Sequence, residues 1–139
     1  MIILDTNIIS ELMRRVPDPH VLEWLDDQEA GELFITTITI AEIAYGINVL
    51  PDGGRRQLLE SAFNKTVQDA FRDRVLSFDE ESSHCYGKLM SHRKKIGKPL
   101  SSLDGQIASI SVAHQGKIAT RNVNDFADCN LTIINPFSY

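Results

Sequence analysis

The chain has 139 residues, 42% hydrophobic and 24% charged, which suits one soluble globular domain with a core of its own. A formal net charge of −5 weighs against a surface built for general nucleic-acid binding, although a cation bound among clustered carboxylates would offset part of it. Cys85 and Cys129 lie far apart and form no CxxC, which argues against a zinc site or a disulfide framework and for buried free thiols.

From the start, Ile2-Ile3-Leu4 reads as a short, fully apolar strand of the kind found at the centre of a parallel sheet. The apolar run meets Asp5 too soon for a signal peptide, and no run approaches the ~20 residues of a membrane span, so a cytosolic location is expected. Ile8, Ile9 and Leu12 give a first helix one apolar face, ending before Pro17. Asp18 then caps a second helix with Pro19 in its first turn and Val21, Trp24 and Leu25 on its apolar face. Leu33 to Thr37 is the second strand. Thr39-x-x-Glu42 reads as a capping box opening a helix that runs to about Leu50, with Gly46 inside it, where close helix packing would account for the glycine.

Pro51-Asp52-Gly53-Gly54 breaks the chain. Leu59, Phe63, Val67 and Phe71 then recur every four residues, the mark of a long amphipathic helix. Arg74 to Phe78 is a third strand. Asp79 starts a helix that turns Cys85, Tyr86, Leu89 and Met90 inward and stops at Gly97. Ser101 or Ser102 caps the next, with Leu103, Ile107 and Ile110 on one side and Gly116 at its end. Ile118 to Thr120 and Leu131 to Ile134 are the last strands. The alternation predicts a single α/β domain over residues 1–139, an open and mostly parallel sheet with helices on both faces.

In such sheets ligands bind outside the carboxyl ends of the strands. Asp5, Glu42, Asp104 and Asp125 each fall where that edge is expected. Gathered carboxylates with no nucleophile motif beside them suit a hard cation that takes oxygen ligands, such as Mg²⁺ or Mn²⁺. Without it they would repel, raising at least one pKa. Each acid also has a plain local role: Asp5 as a helix cap, Glu42 closing its box, Asp104 in a first helical turn, Asp125 capping a short turn around Phe126. GxSxG, Walker, HExxH and GxGxxG motifs are absent, and His20, His84, His92 and His114 show no ligand spacing. Arg93, Lys94, Lys95 and Lys98 bunch near a helix C-terminus, where the helix dipole favours positive charge.

Asp5-Thr6-Asn7 after a three-residue apolar strand resembles the opening of a PIN-domain nuclease, and Thr39-Ile40-Ala41-Glu42 with Tyr45-Gly46 resembles its second acidic motif. Asp104-Gly105-Gln106-Ile107-Ala108 is similar to the third, Thr120 through Phe126 to the fourth, and Ile134-Asn135-Pro136-Phe137 to the family's ending. The order and spacing resemble most the VapC/FitB-type toxins of bacterial toxin–antitoxin pairs. Position 122 is Asn, whereas many relatives carry Asp there and others Asn, and an amide brings no charge to a second cation.

The resemblance implies hydrolysis of an RNA phosphodiester dependent on Mg²⁺ or Mn²⁺. Asp5, Glu42 and Asp104 would hold the metal, with Asp125 fixing the metal or the attacking water. Thr6, Asn7, Thr120 and Asn122 would orient the carboxylates by hydrogen bonds. Arg93, Lys94, Lys95, Lys98 and Arg121 would steer the RNA backbone. It also implies an antitoxin with a DNA-binding N-terminus and a C-terminal segment over the active-site groove, and a toxin homodimer or higher complex. The alternatives are a PIN-fold module that binds RNA or a partner without cutting, and an aspartate-dependent phosphatase. The second is weakened by Asn7, where such phosphatases generally need a second Asp.

Overall fold

The computed structural model describes residues 1–139. Five parallel strands run in the order β3-β2-β1-β4-β5: β1 Ile2–Leu4, β2 Leu33–Thr36, β3 Val75–Leu76, β4 Lys117–Ala119 and β5 Ile133–Ile134. Seven α-helices connect them: α1 Thr6–Leu12, α2 Pro19–Asp26, α3 Thr37–Asn48, α4 Gly54–Ala70, α5 Glu80–Lys95, α6 Ser102–Ala113 and α7 Val123–Phe126. The predicted parallel sheet with helices on both faces is therefore what forms.

Residues 2 to 4 occupy the central strand, and their three side chains are 9% exposed or less. Side chains of a strand alternate between faces. Ile2, Leu4, Ile35 and Ala119 accordingly join one core with Ile8, Ile9, Val21, Trp24, Ile43, Ile47, Phe63 and Phe71. Ile118 points the other way, into a second core with Ile107, Ala108, Phe126 and Cys129. On that face α6 lies so close to α5 that a side chain at Gly105 would run into Tyr86 and Met90.

From β1 the chain adds β2 and β3 on one side, then crosses to place β4 and β5 on the other. The connections leaving β1 and β4 therefore diverge, which opens a crevice at their carboxyl ends. β1 is as expected and β4 is shifted by one residue, while the other three expected strands run long by one to three: Thr37 belongs to α3, Arg74, Ser77 and Phe78 lie outside β3, and Leu131 and Thr132 lie outside β5. Thr120 still donates its N–H to Ile134 O at 2.9 Å, so the ladder runs just past β4.

Asp18 caps α2 through His20 N–H, Asp79 caps α5 through Ser82 N–H, and Ser101 caps α6 through Asp104 N–H, as their residue types suggest. The capping box does not form. Thr36, not Thr39, caps α3, its hydroxyl accepting from Thr39 N–H at 3.1 Å. Nor does close packing explain Gly46, since a Cβ there would meet nothing within 4 Å. Thr36 is fully buried, so Thr36→Val should lower stability by about 1 kcal/mol through loss of the cap, measured by urea unfolding.

Candidate active site

Asp5 follows β1 directly and caps α1, its Oδ1 accepting from Thr6 N–H at 2.8 Å. Oδ2 accepts from the Thr120 hydroxyl at 2.7 Å and from Asn7 Nδ2 at 3.1 Å. Thr120 follows β4, the neighbouring strand, so two strand ends share one carboxylate. Asn7 extends the bridge, with Nδ2 donating to Thr120 Oγ1 at 3.2 Å and Oδ1 accepting from Arg121 N–H at 3.2 Å. Asp5 is thus both helix cap and site residue, and the two expectations do not compete.

With Thr36 capping α3, Glu42 is released from the capping role. It lies beyond the first turn of α3, where Oε1 accepts from the Thr6 hydroxyl at 2.8 Å. Asp104 occupies the first turn of α6, is half-buried, and bonds into the fold through its backbone N–H to Ser101 Oγ at 3.2 Å.

These three acids line one cleft of about 440 Å³ together with Thr6, Asn7, Ser10, Glu11, Arg14, Arg121 and Asn122. None of its ten lining residues is hydrophobic, so the cleft is built for a charged, hydrated occupant. Beside it lies a larger groove of about 670 Å³ between α1, α3 and α4, which shares Thr6, Ser10, Arg14 and Glu42 with the cleft and is floored by Ile43, Ile47 and Leu59.

Burial pushes the Asp5 carboxyl from 3.8 up to about 6, against the pull of its bonds to Thr120 and Thr6. Charge repulsion from Asp104 and Glu42 acts in the expected direction but is the smaller cause. A carboxyl whose pKa is raised in the fold stabilises the fold below its unfolded pKa, and that stability is lost as pH rises through the folded value. Metal-free protein should therefore lose on the order of 3 kcal/mol from this group between about pH 4 and pH 7. Melting of EDTA-treated protein across this range checks it: Asp5→Asn should flatten the slope, and an unchanged slope would refute the assignment.

The donors offered to a cation are all oxygen: Asp5 buried and pre-aimed, Glu42 aligned by Thr6, Asp104 untied. They do not stand close enough together to cage a bare ion. That fits Mg²⁺, which keeps several waters and takes only one or two carboxylates directly. The residues present fit such a cation.

Asp125 is not brought to this cleft. It lies exposed on α7, one turn past Asn122, and Asn122 lines the wall in its place. Among the predicted cations, Arg121 lines the cleft and holds its guanidinium 4.5 Å above the Phe137 ring. The others do not line it. Arg93 corrects the expectation outright: it is 4% exposed, and its guanidinium donates to the carbonyls of Lys98 (2.6 Å), Asp125 (3.0 Å) and Ala127 and to Cys129 Sγ (3.3 Å). Lys98 pairs with Asp128 at 2.8 Å, while Lys94 and Lys95 are exposed at the end of α5. Ser10, Glu11 and Arg14 were missed, although with Asn7 they repeat at the spacing of one helix face.

The model of the PIN domain matches residues 2–129. The chain belongs to the PIN-domain family. It is 42% identical over 137 residues to VapC ribonuclease Y4jK of Sinorhizobium fredii, spanning 99% of this chain and 98% of that protein. It is 33% identical over 137 residues to toxin FitB of Neisseria gonorrhoeae, spanning 99% of each. The crystal structure of FitAcB from Neisseria gonorrhoeae aligns over 100% of both chains with a TM-score of 0.94 and 32% identity. FitAB bound to an IR36 DNA fragment gives 0.93 and 33%, over 99% of this chain and 96% of that one. This PIN domain is thus of the VapC/FitB group, as its motifs suggest. It carries an amide, Asn122, on the wall of its acidic cleft.

Proposed function

We propose that this PIN domain is the toxin of a toxin–antitoxin pair, an endoribonuclease that hydrolyses RNA phosphodiester bonds with Mg²⁺ or Mn²⁺. The observation that carries the reading is the convergence of Asp5, Glu42 and Asp104, from three separate elements, on a cleft with no hydrophobic lining. Likeness to proteins named VapC ribonuclease and toxin FitB supports the substrate class and the toxin role.

Asp5, Glu42 and Asp104 hold the cation, directly or through water. When bound, it supplies Lewis-acid polarisation of the phosphate and lowers the pKa of an attacking water. Thr120 and Asn7 fix the Asp5 carboxylate in one rotamer, and Thr6 does the same for Glu42; such supports commonly contribute 10–100-fold in metal affinity or activity. Arg121, set over Phe137, offers its guanidinium to an RNA phosphate. Asn122 supplies an uncharged hydrogen-bonding wall. Asp125, exposed on α7 and off the cleft lining, would not be among the residues that hold the cation.

The partner in this reading is an antitoxin with a DNA-binding domain, as the solved FitAB–DNA complex suggests by likeness. Its C-terminal segment covers the groove beside the cleft, and the toxin works as a homodimer or within a larger complex in the cytoplasm. No helix is long and apolar enough to cross a membrane.

The test is cleavage of a mixed RNA pool by purified, folded, antitoxin-free protein with Mg²⁺ or Mn²⁺, beside an EDTA control. Cutting that stops with EDTA is expected. Cutting that persists in EDTA, or RNA left intact with either metal, contradicts the proposal.

A further inference from the structure

Four of the five expected RNA contacts lie near the C-terminus of α5, yet Arg93 there is spent on carbonyls and none of its lysine neighbours lines the cleft; the fifth, Arg121, does. Two arginines do line it, Arg14 and Arg121. They reach it from opposite sides of Asp5. Arg121 leaves β4 and stacks on Phe137, which follows β5, while Arg14 also lines the groove of α3 and α4, the helices that follow β2. In the sheet order, β2 and β4 flank β1, which carries Asp5.

Arg14 is not a loose surface side chain. Its guanidinium meets both oxygens of Glu11, at 3.2 and 3.3 Å. Glu11 is only 5% exposed, and its Oε1 also accepts from Asp18 N–H at 2.9 Å. A buried carboxylate anchored to the next helix therefore fixes one end of the arginine fork. Arg14 keeps 65% of its side chain exposed, leaving N–H donors for a ligand. Both contacts come from Nη1, so Nη2 and Nε keep their N–H groups for a second planar or tetrahedral oxyanion.

We propose that Arg14, tethered by Glu11 at the mouth of the acidic cleft, binds an RNA phosphate next to the scissile one, on the side of the cleft opposite Arg121. The inference rests on the ribonuclease reading and deepens it. RNA backbone crosses the cleft between two arginines, each held by the fold: Arg121 by an aromatic ring, Arg14 by a buried acid. Four carboxylates line the cleft, Glu11 among them, and the two arginines offset part of the repulsion these present to an incoming polyanion.

The experiment compares steady-state cleavage of one RNA substrate by wild type, Arg14→Gln, Arg14→Lys, Glu11→Gln and the surface control Lys65→Gln, on the exposed side of α4, at several salt concentrations. Loss of one charge-assisted phosphate contact should raise KM about tenfold with little change in kcat. The salt dependence of log KM should fall by about 0.7 for a single-stranded substrate. Arg14→Lys should recover the salt slope but not all of KM, because the point charge keeps attraction and loses the fork. In Glu11→Gln the amide oxygen can still accept from Asp18 N–H, so folding is kept while the tether weakens, and KM should rise less than in Arg14→Gln. Lys65→Gln should behave as wild type. Active wild type with KM and salt slope unchanged in Arg14→Gln overturns the inference alone. Equal loss in Arg14→Gln and Lys65→Gln also overturns it, since any surface cation would then serve. Wild type that neither cuts nor binds RNA overturns the ribonuclease reading and this inference with it.

Discussion

Asp104→Asn should reduce kcat/KM for RNA by about 10³-fold, the several kcal/mol a catalytic cation contributes, while changing stability by no more than about 0.5 kcal/mol. The two effects separate because Asp104 bonds into the fold through its backbone and not its carboxylate. An amide there keeps the shape of the side chain and the Ser101 cap. Only the weak benefit of a negative charge in the first turn of α6 is lost. Asp5 would be a poorer probe. Its carboxylate accepts three hydrogen bonds, and an amide would turn a donor toward Asn7 and Thr120. Cleavage kinetics and thermal melting on one preparation check the prediction. Activity within tenfold of wild type, or a large fall in melting temperature, would make Asp104 a structural acid.

Arg93→Ala should destabilise the protein by about 3 kcal/mol, lowering its melting temperature by roughly 10 °C for a chain of this size. The guanidinium is the common partner of three backbone carbonyls, and it joins the end of α5 to the segment that follows α7. Removing it strips those acceptors of their shared donor, and water entering the vacated polar space replaces it only in part. Arg93→Lys should recover little, since a single ammonium cannot span the fork. Melting curves of the two variants decide this. A shift under about 3 °C in Arg93→Ala would mean that the head is hydrated and its carbonyl contacts are dispensable.

Arg93 also marks where sequence reading stopped short. In the run Arg93-Lys94-Lys95 all three look alike as charge, but helical phase separates them. Ser82, Tyr86, Leu89 and Arg93 follow each other at three- and four-residue steps along the inward side of α5, and Ser82 and Arg93 are buried. The same periodicity would have found Ser10, Glu11 and Arg14 beyond Asn7. Both were visible in principle, and grouping residues by charge hid them.

Features set within a few residues read well. The apolar triplet before Asp5, the caps at Asp18, Asp79 and Ser101, and the break at Pro51 through Gly54 all depend on local backbone preferences. The cap of α3 went astray by three residues because Thr36, Thr37 and Thr39 offer nearly the same local chemistry. The sheet decides between them by ending β2 at Thr36 and burying its hydroxyl. Asp125 and Asn122 pose the same difficulty across longer range. Their spacing admits either at the cleft, and only the backbone turn at Asn122, before α7 begins, selects the amide. Repulsion among the carboxylates implies at least one raised pKa without singling out the Asp5 shift. Its main cause, burial at the end of the central strand, needs the packed sheet to appear.

The most direct test of the account is a calorimetric titration of Mn²⁺ into metal-free protein, with Asp5→Asn and Asp104→Asn titrated alongside. The acidic cleft predicts saturable binding in wild type and an affinity at least about tenfold weaker in each variant, with protons released near pH 6 as the cation displaces the proton of Asp5. Folded wild type that gives no binding heat, or three indistinguishable isotherms, would contradict the claim that these carboxylates form the cation site.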